Sequence, residues 1–208
     1  GLRRLGPRTL LFLRQIEEIA WKVEDGPSGL YVRGKPEEIG ENVRRVVLLG
    51  EEEGKPDVEE TWLLFSHEAK TPDGATAGHV EIAFSIKQDD KSGRNSVQPV
   101  IDSPLVVFFP TVVSTNLGFL VQGPYRTTPS RDNVPPKDAW NQHLAGETAT
   151  LLREALLSLR TMGLLDVDAL SSLPIDRAKF AEGRLFAPMF EAVLDALRME
   201  PLLPVFGT

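Results

Sequence analysis

Cysteine is absent from the 208 residues, which excludes a disulfide framework and any thiolate ligand or nucleophile. That absence fits a reducing compartment, and the cytoplasm is the expected location. No apolar run approaches the roughly 18–20 residues that cross a bilayer as a helix, so no membrane partner is expected. Neither a P-loop, a G-x-G-x-x-G turn nor a G-x-S-x-G elbow occurs, so no familiar glycine cradle for phosphate and no hydrolase nucleophile is encoded. Histidine is scarce: His67, His79 and His143 lack HxxH or HxxxH spacing, and no metal site is expected. Positive charge is in deficit, with a net charge of -7. A dedicated nucleic-acid binder needs a basic face for its phosphate contacts, so nucleic acid is not an expected partner either.

What is present is ordinary globular material: 41% hydrophobic and 25% charged residues, enough to bury a core. Residues 1–16 place arginines before an apolar stretch, as a signal peptide does. Arg14 and Glu17 follow at once with no small-residue cleavage site, so the segment reads as folded structure. The chain opens on Gly1 and closes on Phe206-Gly207-Thr208 without a polar tail, and the expectation is a piece of a longer protein.

From residue 17 to 122 the pattern is one of strands. Val80, Ile82, Phe84 and Ile86 alternate with Glu81, Ala83, Ser85 and Lys87, the period of a strand with one buried face. Glu18–Val23, Leu30–Arg33, Val43–Leu49, Glu59–Phe65, Leu105–Phe109 and Leu117–Gln122 are further strand candidates, split by turn clusters such as Pro72-Asp73-Gly74. The polar stretches 51–57 and 88–96 read as hairpin loops. After residue 136 the period lengthens. Trp140, Leu144, Thr148, Leu151, Leu152, Ala155, Leu156 and Leu159 recur at three- and four-residue steps, predicting a helix over 138–162 that Gly163 stops. A short helix near 167–172 and another over 178–199, broken by Gly183 or Pro188, complete a helical tail. The expected fold class is α+β: a mainly β segment, 1–136, with a mainly antiparallel sheet, and a long helix with a small helical tail, 137–208, packed on it.

Chemistry is hard to find in most of this. Ser66-His67-Glu68 holds triad-type residues, but neighbours on a strand face opposite ways. The acidic pairs lie in polar stretches and read as solvated surface. Residues 103–131 differ: they contain no Asp or Glu, where 30 acids in 208 residues would place about four. The apolar strand 117–122 delivers the chain into a proline-stiffened loop carrying Arg126, Thr127, Thr128, Ser130 and Arg131. Guanidinium groups beside hydroxyls suit bidentate binding of a phosphate. The alternative is that Arg126 and Arg131 pair with acids elsewhere, for example Asp132 or the helix residue Glu147, and only pin the loop to the domain. A separate reading makes Leu105–Phe109 and the tail residues Phe180, Leu185, Phe186, Met189 and Phe190 a face for a client protein or a second copy.

Phe12-Leu13-Arg14-Gln15-Ile16-Glu17-Glu18-Ile19, the sheet, the loop PYRTTPSRDN and the helix NQHLAGETATLLREALLSL together resemble the middle segment of the ninety-kilodalton heat-shock protein and sacsin group of GHKL-type ATPases. The likeness covers most of residues 8–160, and GFLVQGPYRTTPSRDN is similar to bacterial ATP-binding proteins of that group. Ser130-Arg131-Asp132 matches the family's serine-arginine-acid triplet, whose arginine reaches the γ-phosphate of ATP held by the preceding domain. The resemblance implies a ribosomal-protein-S-five-domain-two-like sheet, a cytoplasmic chaperone-type ATPase as parent protein, and ATP with magnesium as its cofactor. Arg131 then inherits the catalytic role, and the partner is the protein's own N-terminal ATP-binding domain. Asn133-Val134-Pro135-Pro136 departs from the family pattern. The family's metal-holding asparagine and D-x-G-x-G turn do not occur here, so the segment alone is not expected to hold ATP tightly.

Overall fold

The computed structural model describes residues 6–89 and 93–202. Ten strands, β1 (Glu18–Lys22), β2 (Ser28–Arg33), β3 (Glu37–Gly40), β4 (Val43–Glu52), β5 (Val58–Lys70), β6 (Thr76–Gln88), β7 (Asn95–Gln98), β8 (Pro104–Val107), β9 (Phe109–Ser114) and β10 (Leu120–Gln122), precede two helices, α1 (Ala139–Thr161) and α2 (Ala187–Met199). The strands form one sheet in the order β1-β2-β4-β5-β6-β10-β8-β9, with β3 added beside β4 and β7 beside β6. Every pairing is antiparallel except β8 with β10. The sheet is therefore mixed rather than purely antiparallel, and the fold is α+β.

Period two decides which side chains meet. On β5 and β6, Leu63, Phe65, Val80, Ile82 and Phe84 face the helices, and α1 buries Leu144, Leu151, Leu152, Leu156 and Leu159 against them. Trp62, Leu64 and Ala83 point the other way, into a second core with Tyr31, Val46, Leu48, Val106 and Leu120. That second face was expected to meet solvent. It is covered instead by Leu10, which ends the 3-10 turn Pro7–Leu10, and by Leu11 and Phe12 just after it, so even Glu81 is buried on it.

Asp138 caps α1 by accepting from the backbone N–H groups of Trp140 and Asn141, and Gly163, at φ 71°, ends it, as its sequence placement requires. The short helix is a 3-10 turn over Asp168–Ser172. The last helix begins only at Ala187: Gly183 takes φ 84° and Pro188 occupies the first turn of α2, so 178–186 is turn rather than helix. Phe180, Phe186, Met189 and Phe190 belong to the first core. Leu185 packs against the same core, so these tail side chains are spent inside the fold rather than presented to solvent.

Candidate functional site

β10 lies between β6 and β8, with all three residues buried, and it hands the chain to Gly123-Pro124-Tyr125. Tyr125 is buried and its hydroxyl pairs with that of Thr148 on α1 at 2.9 Å; burial pushes its ionisation far above the ordinary range. Trp140 Nε1 donates to Pro124 O at 2.9 Å. Asn141, fully buried, accepts from Arg126 N at 2.8 Å and donates to the carbonyls of Arg126 and Pro135, each at 3.0 Å. The first turn of α1 thus clamps both ends of the loop. Sequence reading placed Asn141 on the helix but gave no sign of this role, since nothing local marks a side chain that bonds 15 residues upstream.

Beyond the clamp, Arg131 N bonds Thr128 O at 2.8 Å and Thr128 N bonds Asn133 O at 3.0 Å. The hydroxyls of Thr128 and Ser130 both donate to Asp132 Oδ1, at 2.6 and 2.7 Å. Those two bonds, Thr128's first, hold the Asp132 carboxyl below its usual range. The two hydroxyls are therefore turned inward to the loop's own carboxylate and do not form an open cradle. Thr127 lies half-buried between them and the clamp. Arg126 faces Asp138 at 3.4 Å, with a side chain 67% exposed, an ion pair of little weight in water.

Arg131 is placed differently from every other member of the set. Its Nη2 donates to Val107 O at 2.7 Å and to Phe109 O at 3.1 Å. No carboxylate pairs with it among the described residues. An acid pairing holds for Arg126, with Asp138; for Arg131 neither Asp132 nor Glu147 is the partner, since Asp132 is held by hydroxyls and Glu147 sits 3.3 Å from His67. Both Arg131 (φ 58°) and Phe108 (φ 62°) occupy the left-handed region, which side chains of this size seldom enter. Phe108 is the single residue between the β8 and β9 ends, where Val107 pairs Phe109. Its unusual backbone lets the carbonyls on either side of it hold one guanidinium.

No protein-family model and no solved structure matches the chain. It is 28% identical, over 158 residues, to Protein NO VEIN of Arabidopsis thaliana, an alignment covering 74% of this chain and 5% of that protein. The likeness thus takes in most of this chain and a small part of a far larger relative.

A second polar cluster, which the sequence analysis did not single out, lies on the opposite sheet face. Glu81 Oε1 accepts from Arg14 Nη2 at 2.9 Å and from Arg44 Nη2 at 3.3 Å. Arg14 also reaches Ser66 Oγ, and its Nη1 lies 3.4 Å from His79 Nε2. Burial, and then the charge of Arg14, lower the pKa of His79. Arg33, buried between them, donates to Arg14 O at 3.1 Å. A carboxylate in the middle of an alternating strand was the available signal; that its outward face is covered by residues 10–12 is not written in the strand itself.

Proposed function

We propose that this chain is the segment that follows the ATP-binding domain in a chaperone-type ATPase of the heat-shock-protein-ninety and sacsin kind, with a ribosomal-protein-S-five-domain-two-like sheet, and that Arg131 addresses the γ-phosphate of ATP held by that domain. One observation carries the reading: Arg131 is fixed by two neutral carbonyls and, among the described residues, paired with no acid, so its position is set while its charge stays uncancelled. Carbonyl acceptors orient a guanidinium without neutralising it, and an anion arriving from outside finds the remaining donors in a planar fork. Strain at two adjoining backbone positions is a further sign, since such conformations gather at working sites.

ATP with magnesium supplies the transferable phosphoryl group in this account. The chain's part is positioning and charge: the α1 clamp on residues 126 and 135 keeps the loop rigid, and Arg131 places positive charge where negative charge grows in the transition state. Arg126, exposed and only loosely paired, is the second cation at hand. Thr128 and Ser130 brace the loop through Asp132 and act as ligands only if that carboxylate turns away. In the protein that carries both domains, Arg131→Ala lowers turnover by about 10³-fold or more while nucleotide affinity is retained. Unchanged turnover overturns the proposal.

The outer strand favours a second reading, a protein-interaction or dimerisation module. β9 ends the sheet, and Phe108, Phe109 and Val112 stand exposed on or beside it, a free edge with apolar side chains that accepts another strand. Sedimentation of the chain against a Val112→Lys variant tests it: one sedimenting species at all concentrations in both removes self-association.

A further inference from the structure

The main run of strands ends in β1 on one side and β9 on the other, and the two edges differ in charge. β1 carries Glu18 and Lys22 at its ends, the kind of side chains that keep an edge from pairing with another chain. β9 has no such guard: residues 103–125 contain no charged side chain. Phe109 and Val112 stand exposed along it, with Phe108 just before it. Charge is met again at the two ends of β9, with opposite sign. Arg131 donates to Phe109 O at 3.1 Å, beside the start of the strand. Asp102 flanks the other end, next to Ser103, whose carbonyl accepts from Thr115 N at 2.9 Å. Asp102 is exposed, and no ion pair engages it among the described residues.

We propose that the occupant of the β9 edge is the same edge of a second copy of this chain, paired antiparallel about a two-fold axis at Val112; the inference rests on the reading of the outer strand as an association surface. An antiparallel self-pair sets the start of one strand against the end of the other. Arg131 of each copy then meets Asp102 of the other, and two charges that are not neutralised within their own copy are matched twice. A parallel pair sets Arg131 against Arg131 and Asp102 against Asp102, and like charges facing each other are destabilising. Centring on Val112 places the two exposed valines face to face and Pro110 opposite Ser114 of the second copy. Pro110 removes a donor from each strand's ladder, and both ion pairs lie at the surface, so the pairing is reversible and weakens in salt. It needs no phosphate at Arg131 and stands apart from that role.

The absence of cysteine makes the test direct. Residues opposite each other on antiparallel strands have Cα atoms about 4.5–5.5 Å apart, within the roughly 4.4–6.8 Å that a disulfide spans. Val112→Cys is expected to form a disulfide-linked dimer on mild oxidation, whereas Lys22→Cys, on β1, stays monomeric. Sedimentation equilibrium of the unaltered chain is expected to show monomer and dimer in exchange, with a dissociation constant that rises as salt is added. Asp102→Arg weakens the dimer about tenfold, and combining it with Arg131→Asp restores the pairing. Should the doubly altered chain fail to fold, slower cross-linking of Val112→Cys once Asp102→Arg is added reads the same contact. A dimer that persists while Val112→Cys fails to cross-link overturns the inference and leaves the association reading standing. Species that grow beyond a dimer, as an open pairing of β9 with β1 gives, do the same. A monomer at every concentration overturns the inference and leaves that reading only a different protein as partner.

Discussion

At Arg131 a side-chain requirement and a backbone requirement pull against each other. The guanidinium needs the carbonyls beside Phe108, and reaching them requires a left-handed backbone that costs a side-chain-bearing residue on the order of 1 kcal/mol. Glycine adopts that conformation freely. Arg131→Gly is therefore expected to be about 1 kcal/mol more stable than Arg131→Ala, read from urea midpoints, although both lack the guanidinium. Equal midpoints would show that the backbone there is unstrained. Tyr125 gives a second measurement at this scale. Its folded pKa is raised by burial above the ordinary value of 10.0, so the folded state keeps its proton after the unfolded chain has lost it. The stability tied to this group is complete below pH 10 and is lost as pH rises beyond it. The fall in stability between pH 9 and pH 11 is thus steeper in the natural chain than in Tyr125→Phe, by equilibrium unfolding at the two pH values. The loop itself was visible in the sequence as an acid-free stretch ending in two arginines. What the arginines bond was not, because carbonyl acceptors leave no trace in residue type.

Elements whose start, period and stop are set by nearby residues were legible. α1 was readable to within a residue at each end, because its cap, its heptad-like spacing and its terminal glycine are all local. The long central strands were evident in part: β6 carries period two strongly, and 59–65 read as a strand, although β5 runs on to Lys70. β3, β7 and β9 were not. They are short edge or side additions, rich in polar residues or proline, and only a partner strand makes them strands. The two elements that hold the loop can be tested. Asn141→Ala leaves the backbone N–H of Arg126 and two carbonyls without their buried partner, which costs roughly 2–4 kcal/mol and speeds hydrogen exchange at residue 126. Protection there as strong as in the natural chain would remove the clamp. Gly118 sits where an added Cβ would come within 2.5 Å of the Ser172 backbone, and its N–H bonds Ser172 O at 3.1 Å. Backbone cannot step aside as a flexible side chain can. Gly118→Ala is expected to lower stability by roughly 2 kcal/mol or more, with the 3-10 turn Asp168–Ser172 the first region to lose exchange protection.

The whole molecule is a sheet sealed on both faces by unequal means. α1 and α2 cover one face with a broad apolar layer, whereas a few residues near the chain start cover the other. Leu10, Leu11 and Phe12 are nearly or fully buried against Tyr31, Leu48, Trp62 and Leu64. At about 1.5–3 kcal/mol for each large side chain removed from water, the three together rival the net stability of a typical domain, about 5–15 kcal/mol. Arg14 then ties the strap to Glu81 at 2.9 Å and Arg33 holds the Arg14 carbonyl, so the strap ends in the polar cluster around Glu81. A chain shortened to begin at Gln15 is therefore expected to keep its α1 signal in circular dichroism while binding a hydrophobic dye and losing its sharp unfolding transition. Two-state melting with no dye binding would show that the sheet holds its second face closed without the strap.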